Sequence, residues 1–349
     1  MSKSKLTLII DGNWLLMSRM ATILGKYHSE KEMMKDLKLL MIKSINIVLR
    51  TFPSIDNVIF VADGGSWRNN IEVPLFIKNE GIEYKGNRIK DKSIDWNTIF
   101  SGFEDFINKM NTAGIYTCRE SEIEGDDWCW YLSRKLNSEN TNVIIWSKDR
   151  DLLQLVKSDK NGCFTCWWNK ENGVFFEEYP DEYTDFLLNP YYIENLTFYK
   201  EIQSKSIKFT KIDPNTIVID KIIRGDQSDN IIPIILRNSK GTSTKKFRVS
   251  TKDINYHINI FSDTDINNYI SNLISSKNYI GRINKSYENI VEHFKYNRKL
   301  VCLNKSNYPD YILKKMQKHN IFTPNKNTYL VEQKIQAEKN DLDTILNSI

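Results

Sequence analysis

Nine acidic side chains at five points along the sequence have the make-up of a single metal centre. They are Asp11 in LIIDGNW, Asp63 in FVADGG, Glu124, Asp126 and Asp127 in EIEGDDW, Asp149 and Asp151 in SKDRDLLQL, and Asp226 and Asp229 in GDQSDN. Carboxylates gathered in one crevice repel one another and resist ionisation unless cations neutralise them. Hard divalent ions with oxygen ligands, Mg²⁺ or Mn²⁺, suit such a donor set. A carboxylate-lined pair of such ions is fitted to phosphodiester hydrolysis. None of His28, His257, His293 and His319 lies near these segments, so the chemistry expected here uses no histidine as general base.

Each acid also has a plainer reading. Asp11 before NWLLMSRM and Asp149 before LLQLV stand where helix caps stand. Asp63 belongs to an Asp-Gly-Gly turn. Ser121 and Glu124 have the spacing of a capping box, and acids favour a first helical turn. That accounts for Glu124 but gives no reason for Asp126 and Asp127. On a helix Glu124 and Asp127 share a face, with Asp126 to one side. Asp226 and Asp229, next to Gly225, would serve in a solvated turn. The joint pattern carries the metal reading, not any single acid.

Three of the clusters follow apolar, β-branched runs: LTLII, VIFVA and VIIWS. Strands are expected at 6–10, 57–62, 115–118 and 142–147, and helices at 30–50, 96–113, 122–138 and 151–157. A hairpin is expected over 163–178, around Asn-Lys-Glu-Asn-Gly. This alternation predicts an α/β fold with a central, largely parallel sheet flanked by helices. Open sheets of that kind hold ligands outside the C-terminal ends of their strands. Beyond residue 180 the chain is more polar and mostly helical. The expected organisation is a catalytic domain over 1–212, with a mobile loop or arch at 65–95 and an inserted helical segment at 180–212. A helical, duplex-binding region over 213–349 would contribute Asp226 and Asp229 to the site.

The chain has 349 residues, 40% hydrophobic and 12% aromatic, enough to bury a core. Its apolar runs fall far short of the roughly 18 residues of a membrane span, so no membrane contact is expected. MSKSKLTLII runs directly into DGN, which reads as a first strand and not a signal peptide; cytoplasmic residence is the expectation. Five cysteines, an odd number, argue against a disulfide framework. Cys163 and Cys166 form a CxxC inside strand-like CFTCWW, with no second pair to complete a zinc site. A net charge of +5 on a chain with an acid-rich crevice leaves the remaining surface basic, which suits a nucleic-acid partner. Residues 65–95 interleave Trp67, Phe76 and Tyr84 with Arg68, Lys78, Lys85, Arg88, Lys90 and Lys92, a mixture suited to stacking on unpaired bases and gripping phosphates.

At these residues the chain resembles the flap endonuclease/5′-nuclease family, which includes the 5′-nuclease domain of bacterial DNA polymerase I and phage 5′→3′ exonucleases. The matching segments are LIIDGN, FVADGG with Arg68, EYKGNR, EIEGDDW, SKDRDLLQLV and IIRGDQSDNIIP, in family order across residues 6–236. YNRKLVCLNKSNYPDYI is similar to the C-terminal part of the T-even-phage-type ribonuclease H. The resemblance implies a PIN/5′-nuclease-like sheet with two Mg²⁺ sites, Mn²⁺ being a substitute. Asp11, Asp63, Glu124, Asp126 and Asp127 would form the tighter site; Asp149, Asp151, Asp226 and Asp229 would form the second. It also implies Lys85 and Arg88 at the scissile phosphate and Arg68 on the substrate. The family's glycine-rich turn after DNIPG is missing here, so duplex grip is expected from Arg237, Lys240, Lys245, Lys246 and Arg248.

The activity implied is Mg²⁺-dependent 5′→3′ exonuclease and flap endonuclease action on duplex DNA and RNA–DNA hybrids. The task implied is removal of RNA primers in DNA replication by a monomer, in the host cytoplasm if the source is viral. DLDTILNSI at the end of the sequence is a candidate docking peptide for a sliding clamp or a single-strand-binding protein. Two other classes compete. A non-catalytic family member that grips branched DNA is disfavoured by the presence of all nine acids. A PIN-type ribonuclease is disfavoured by the length, the basic loop and the GDQSDN cluster.

Overall fold

The computed structural model describes residues 5–27, 29–52, 54–88, 91–159, 162–178, 207–235, 249–276, 278–279 and 285–319. Strand β1 (Lys5–Asp11) buries Leu6, Leu8 and Ile10 on one side and Ile9 on the other, as the two-residue strand period requires. Parallel strands flank it: β2 (Asn57–Val61) on one side and β4 (Thr141–Trp146) on the other. β3 (Tyr116–Cys118) extends the sheet beyond β2, and β6 (Phe164–Asn169) extends it beyond β4, both parallel. The two-residue β5 (Lys157–Ser158) and β7 (Gly173–Phe176) pair antiparallel with β6. β8 (Phe209–Lys211) closes that edge, parallel to β7. The sheet has eight strands in the order β3-β2-β1-β4-β6-β7-β8, with β5 beside β6. The chain lays β2 and β3 outward from β1, then returns to the far side of β1 for β4. The reversal between β1 and β4 is a topological switch point, where open α/β sheets place their ligand crevice.

Helices α1 (Gly12–Ile23), α2 (Glu30–Thr51) and α4 (Trp96–Thr112) press their apolar stripes onto this sheet. On α2 the stripe is Met33, Met34, Leu37, Met41, Ile45 and Val48, spaced by three and four residues as an amphipathic helix demands. They share one core with Leu6, Leu8, Ile10, Phe60, Trp146 and Trp168. Each such fully buried side chain contributes roughly 1.5–3 kcal/mol. Helix α5 (Gly125–Ser138) buries Trp128, Cys129, Leu132 and Leu136 and packs on β1, β2, β4 and β6. Cys163 and Cys166 are buried free thiols, the latter within β6, which accounts for them as core residues.

The chain divides into two compact units. The first comprises Met1–Gly65, Lys92–Ile212 and Asp310–Ile349; the second comprises Ser66–Asp91 and Asp213–Pro309. The second unit holds α3 (Leu75–Lys78), α6 (Pro214–Arg224), α7 (Asp263–Ser275) and α8 (Tyr287–Val301) around an isoleucine-rich core that includes Ile219, Ile222, Ile223, Ile270 and Ile290. Buried Asn297 ties that core together, its amide donating to the Ile222 (2.9 Å) and Ile232 (2.8 Å) carbonyls. Helix α9 (Asp310–Lys318) belongs to the first unit. Among the described residues no helix is long and apolar enough to cross a membrane.

The division into units does not simply follow the order of the sequence. Residues 66–91 fold with 213–309, and α9 folds with the sheet. Hydrogen bonds between residues far apart in sequence account for both. Arg68 Nε donates to the Leu300 carbonyl (2.9 Å), and Lys315 Nζ bonds Glu122 Oε2 (2.6 Å). The expected irregular stretch at 65–95 carries a 3₁₀ turn, Trp67–Asn70, and α3. The helix expected at 151–157 is a 3₁₀ segment, Arg150–Leu155. Of the expected insertion at 180–212, residues up to 206 lie outside the described residues, and β8 ends it as a strand.

Candidate metal centre

Asp11 ends β1 and is the N-cap of α1. Its two carboxylate oxygens take separate donors: Oδ1 accepts from the Trp14 N–H (3.0 Å) and Oδ2 from the Ser147 hydroxyl (2.7 Å). Burial pushes its carboxyl up to about 7; those two hydrogen bonds pull the other way, while Asp63 and Asp149 add to the rise. The cap reading of Asp11 is met, and other acids lie close enough to raise its carboxyl.

Asp63 follows β2 in an exposed turn. Asn13 Oδ1 accepts from the Asp63 N–H (2.9 Å), which fastens the turn after β2 to the turn after β1. The Gly125 N–H at the start of α5 donates to Asp63 Oδ1 (2.6 Å), a carboxylate at a helix N-terminus where the helix dipole favours it. Gly125 stands between these acids, and a side chain there would crowd Asp63. A Cβ there would stand 3.1 Å from Asp63 Oδ1 and 4.0 Å from Asp11 Oδ1. Gly64 is constrained more tightly: its Cβ would fall 1.9 Å from the Glu120 carbonyl oxygen.

The capping arrangement of α5 corrects the sequence reading. The N-cap is Glu124 and the box partner is Asp127, not Ser121 with Glu124. Asp127 is wholly buried, and its Oδ2 accepts from the Glu124 N–H (3.1 Å). The helix consequently starts at Gly125, three residues later than expected. Asp126 is half-buried, so of the two adjacent aspartates it is the one facing outward. The loop before the cap is held by α9, where Lys315 Nζ bonds the Ser121 carbonyl and hydroxyl (both 3.1 Å) as well as Glu122. Glu122 has φ +66, a left-handed conformation unusual for a residue with a Cβ.

Asp149 caps the Arg150–Leu155 segment, its Oδ1 accepting from the Asp151 N–H (2.9 Å). The Asp149 N–H donates to Ser147 Oγ (2.9 Å), and its carbonyl accepts from Trp167 Nε1 (3.1 Å). The cap reading of Asp149 is thus also met. The acids grade from buried Asp11, Glu124 and Asp127, through half-buried Asp126 and Asp151, to exposed Asp63 and Asp149. The one thiol among them, Cys129, is held well above its ordinary pKa by burial and by Asp11, Asp126, Asp63 and Asp149. The acids around it offer carboxylate oxygens. Such a set fits a hard divalent cation.

The second unit carries the other acids. Gly225 closes α6 at φ +69, and a Cβ there would fall 2.3 Å from the Ile231 carbonyl oxygen. Asp226 then makes paired backbone bonds with Ile231 (2.7 and 2.8 Å). Its Oδ1 accepts from the Ser228 N–H (2.9 Å) and hydroxyl (2.7 Å), and its Oδ2 is paired with Lys221. Burial raises its carboxyl, but Lys221 and Ser228 together outweigh that and leave it below the ordinary value. Asp229 is paired with Arg88. The EYKGNR segment lies along this turn: the Lys85 N–H donates to the Asp229 carbonyl (2.8 Å), Asn87 to the Gln227 carbonyl (2.8 Å), and Asn230 to the Glu83 carbonyl (2.8 Å). Lys85 has φ +56, and its ammonium stands 4.9 Å from the Tyr84 ring centroid. Arg68, expected on the substrate, is 3% exposed, bonded to Leu300 and 4.7 Å over the Trp67 ring. It sits as a tie within the second unit. Arg237, Lys240, Lys245, Lys246 and Arg248 lie outside the described residues.

The family profile of the 5′-3′ exonuclease N-terminal, resolvase-like domain matches residues 6–181, just over half of the sequence. The chain belongs to the 5′-3′ exonuclease family. A 5′-3′ exonuclease of Mycoplasmopsis pulmonis is 29% identical over 241 residues, 69% of this chain and 65% of the relative. One of Buchnera aphidicola subsp. Schizaphis graminum is 27% identical over 160 residues, 46% and 52% of the two chains. The chain thus spans about half to two-thirds of the length of these relatives. Among solved structures, the T5 D15 protein co-crystallised with metal ions aligns at a TM-score of 0.54 and 17% identity, covering 90% of this chain and 97% of that one. The likeness shows the 5′-nuclease fold: a mostly parallel sheet flanked by helices, with a helical C-terminal part. Three residues that hold the acids of this family member in place escaped the sequence reading: Asn13, Ser147 and Lys315. Asn13 and Ser147 stand within two residues of a candidate acid and of the end of a strand, and that position was the available signal. Lys315 is 193 residues from Glu122, and nothing in the sequence marks it.

Proposed function

We propose that this chain is a Mg²⁺-dependent 5′-nuclease that hydrolyses phosphodiesters near the 5′ ends or flaps of duplex DNA and RNA–DNA hybrids. The observation that carries this is the convergence, at the β1–β4 switch point, of acids from three strand ends and the start of α5. The DNA and metal complex of the T5 flap endonuclease, aligned at a TM-score of 0.50, supports the substrate class by analogy. Two cations are proposed, as the sequence suggested: one with Asp11, Asp63, Glu124, Asp126 and Asp127, the other with Asp149, Asp151, Asp226 and Asp229. When bound, the ions supply charge neutralisation at the phosphate and lower the pKa of water. The chain's own residues do the remaining work. Trp14 and Ser147 orient the deepest carboxylate, Asp11. The Gly125 N–H holds Asp63 through one of its oxygens. Asp127 spends one oxygen on the helix cap, which leaves half-buried Asp126 as the more available ligand of the pair. Lys85 and Arg88 are proposed to offset charge developing on the phosphate.

The biological task proposed is removal of RNA primers in replication, in the cytoplasm (that of the host if the source is viral), by a monomer. Arg237, Lys240, Lys245, Lys246 and Arg248 are proposed to grip the duplex backbone, so affinity should fall steeply with salt. A clamp or single-strand-binding protein would dock at DLDTILNSI; loss of stimulation on deleting residues 341–349 is the expected result. The deciding experiment is cleavage of a 5′-labelled flap duplex and a 5′-RNA/DNA hybrid with Mg²⁺ or EDTA, beside Asp149→Asn. Short 5′ products that require Mg²⁺ and disappear in the variant are expected. Flap binding without cleavage would instead favour the non-catalytic reading, and cleavage confined to RNA would favour the PIN-type ribonuclease.

A further inference from the structure

Strands β1 and β4 pair in parallel up to Ile10 and Trp146, so Asp11 and Ser147 are the next residues on either side of the switch point. Ser147 is wholly buried there. Its hydroxyl donates to Asp11 Oδ2 (2.7 Å) and accepts from the Asp149 N–H (2.9 Å). A hydroxyl has one proton to give. A carboxylate on one side and an amide on the other therefore leave its orientation no alternative. The bond to the Asp149 N–H alone would be an ordinary serine turn. A turn does not call for the second bond, which crosses 136 residues of sequence to another acid. The platform is itself braced from β6. The Asn169 amide donates to the Ser147 carbonyl (3.4 Å), and the Trp167 indole donates to the Asp149 carbonyl (3.1 Å).

We propose that Ser147 is a positioning residue of the metal centre: its hydroxyl locks the Asp11 carboxylate to the loop that carries Asp149, so the acids of β1 and β4 stand in register before a cation arrives. This rests on reading the acids as a cation site. Groups that orient metal ligands in this way change affinity by about 10–100-fold when removed.

The test is Mn²⁺ binding to the full chain by calorimetry, with melting temperature measured with and without Mn²⁺, for the wild type, Ser147→Ala and Ser147→Thr. The expected result is Mn²⁺ affinity at least about tenfold weaker in Ser147→Ala, with recovery in Ser147→Thr, which keeps the hydroxyl. The Mn²⁺-induced rise in melting temperature should shrink in parallel. A purely structural serine would lower the melting temperature equally with and without Mn²⁺ and leave the increment unchanged, and that result overturns the proposal even if the variant is less stable. Wild-type protein that binds no Mn²⁺ would overturn the cation-site reading itself. Wild-type binding matched by Ser147→Ala would overturn only the role of Ser147.

Discussion

Asp11 and Asp226 each stand at the end of a regular element and each accept hydrogen bonds at both oxygens, but the two units hold them in opposite ways. Asp11 takes both of its bonds from neutral donors, an amide and a hydroxyl, and its carboxyl is pushed up to about 7. Asp226 takes one side from Ser228 and the other from Lys221, and its carboxyl is held below the ordinary value. Its neighbour Asp229 is paired with Arg88. Neither donor on Asp11 carries a charge, so neither neutralises that carboxylate once it ionises. The second unit has already neutralised its acids with its own cationic side chains, so a metal there has to displace them. Cation affinity at an acidic cluster depends on what already pairs with the acids as well as on their number.

The sharpest way to break this comparison is Asp11→Asn. If the neutral-donor acids bind the cation that matters, flap cleavage should fall by about 10²–10³-fold, the loss typical of one preorganised charge in an active site. Activity near wild type would show that the first unit's centre is dispensable. Arg88→Ala comes next. Its ion pair with Asp229 is largely exposed on the arginine side, so stability should change by no more than about 1 kcal/mol. Cleavage should nonetheless fall by about 10²-fold if the guanidinium serves the phosphate, and a drop in stability without a drop in rate would reduce Arg88 to a brace for Asp229.

Lys221→Met removes the competitor at Asp226. In a Mn²⁺ titration the weaker class of sites should tighten by about tenfold, the difference made by one close charge. An unchanged isotherm would mean that Asp226 takes no cation.

The smallest effect concerns pH. His293 in α8 is buried with Nδ1 3.2 Å from Lys285 Nζ, and burial, then Lys285, push its pKa from 6.5 down to about 3. Between those values the unfolded chain takes up a proton that the folded unit refuses. The stability that neutral His293 permits is therefore complete above pH 6.5 and is lost as pH falls toward 3. Between pH 7 and 5.5 the loss should be about 1 kcal/mol. His293→Leu should abolish that slope in urea titrations, and persistence of the slope would assign it to other groups.

The first unit was largely legible because its signals are local. LTLII, VIFVA and VIIWS are β-branched runs, and each was read as a strand whose end carries an acid. The stripe on α2 is periodic, and the hairpin at β6–β7 is marked by its turn. The start of α5 was misread because Ser121 and Glu124 have the same spacing as Glu124 and Asp127. Local sequence offers both boxes; only the bonding of Asp127 to the Glu124 N–H selects one. The second unit was less legible. Residues 66–91 have weak periodicity, and what orders them is bonding to residues 227–230 and to Leu300, well over a hundred positions away.

By itself the sequence determined the sheet, the acids and the glycines between them, because strand period, turn chemistry and carboxylate composition are short-range properties. The tertiary structure decided which acids lie deep, which are capped by neutral donors and which are paired with Lys221 or Arg88. It also decided that a buried serine between β1 and β4 joins two of them. Those choices depend on what stands within 3 Å of a carboxylate, and in a parallel sheet with crossover connections such neighbours come from distant parts of the chain.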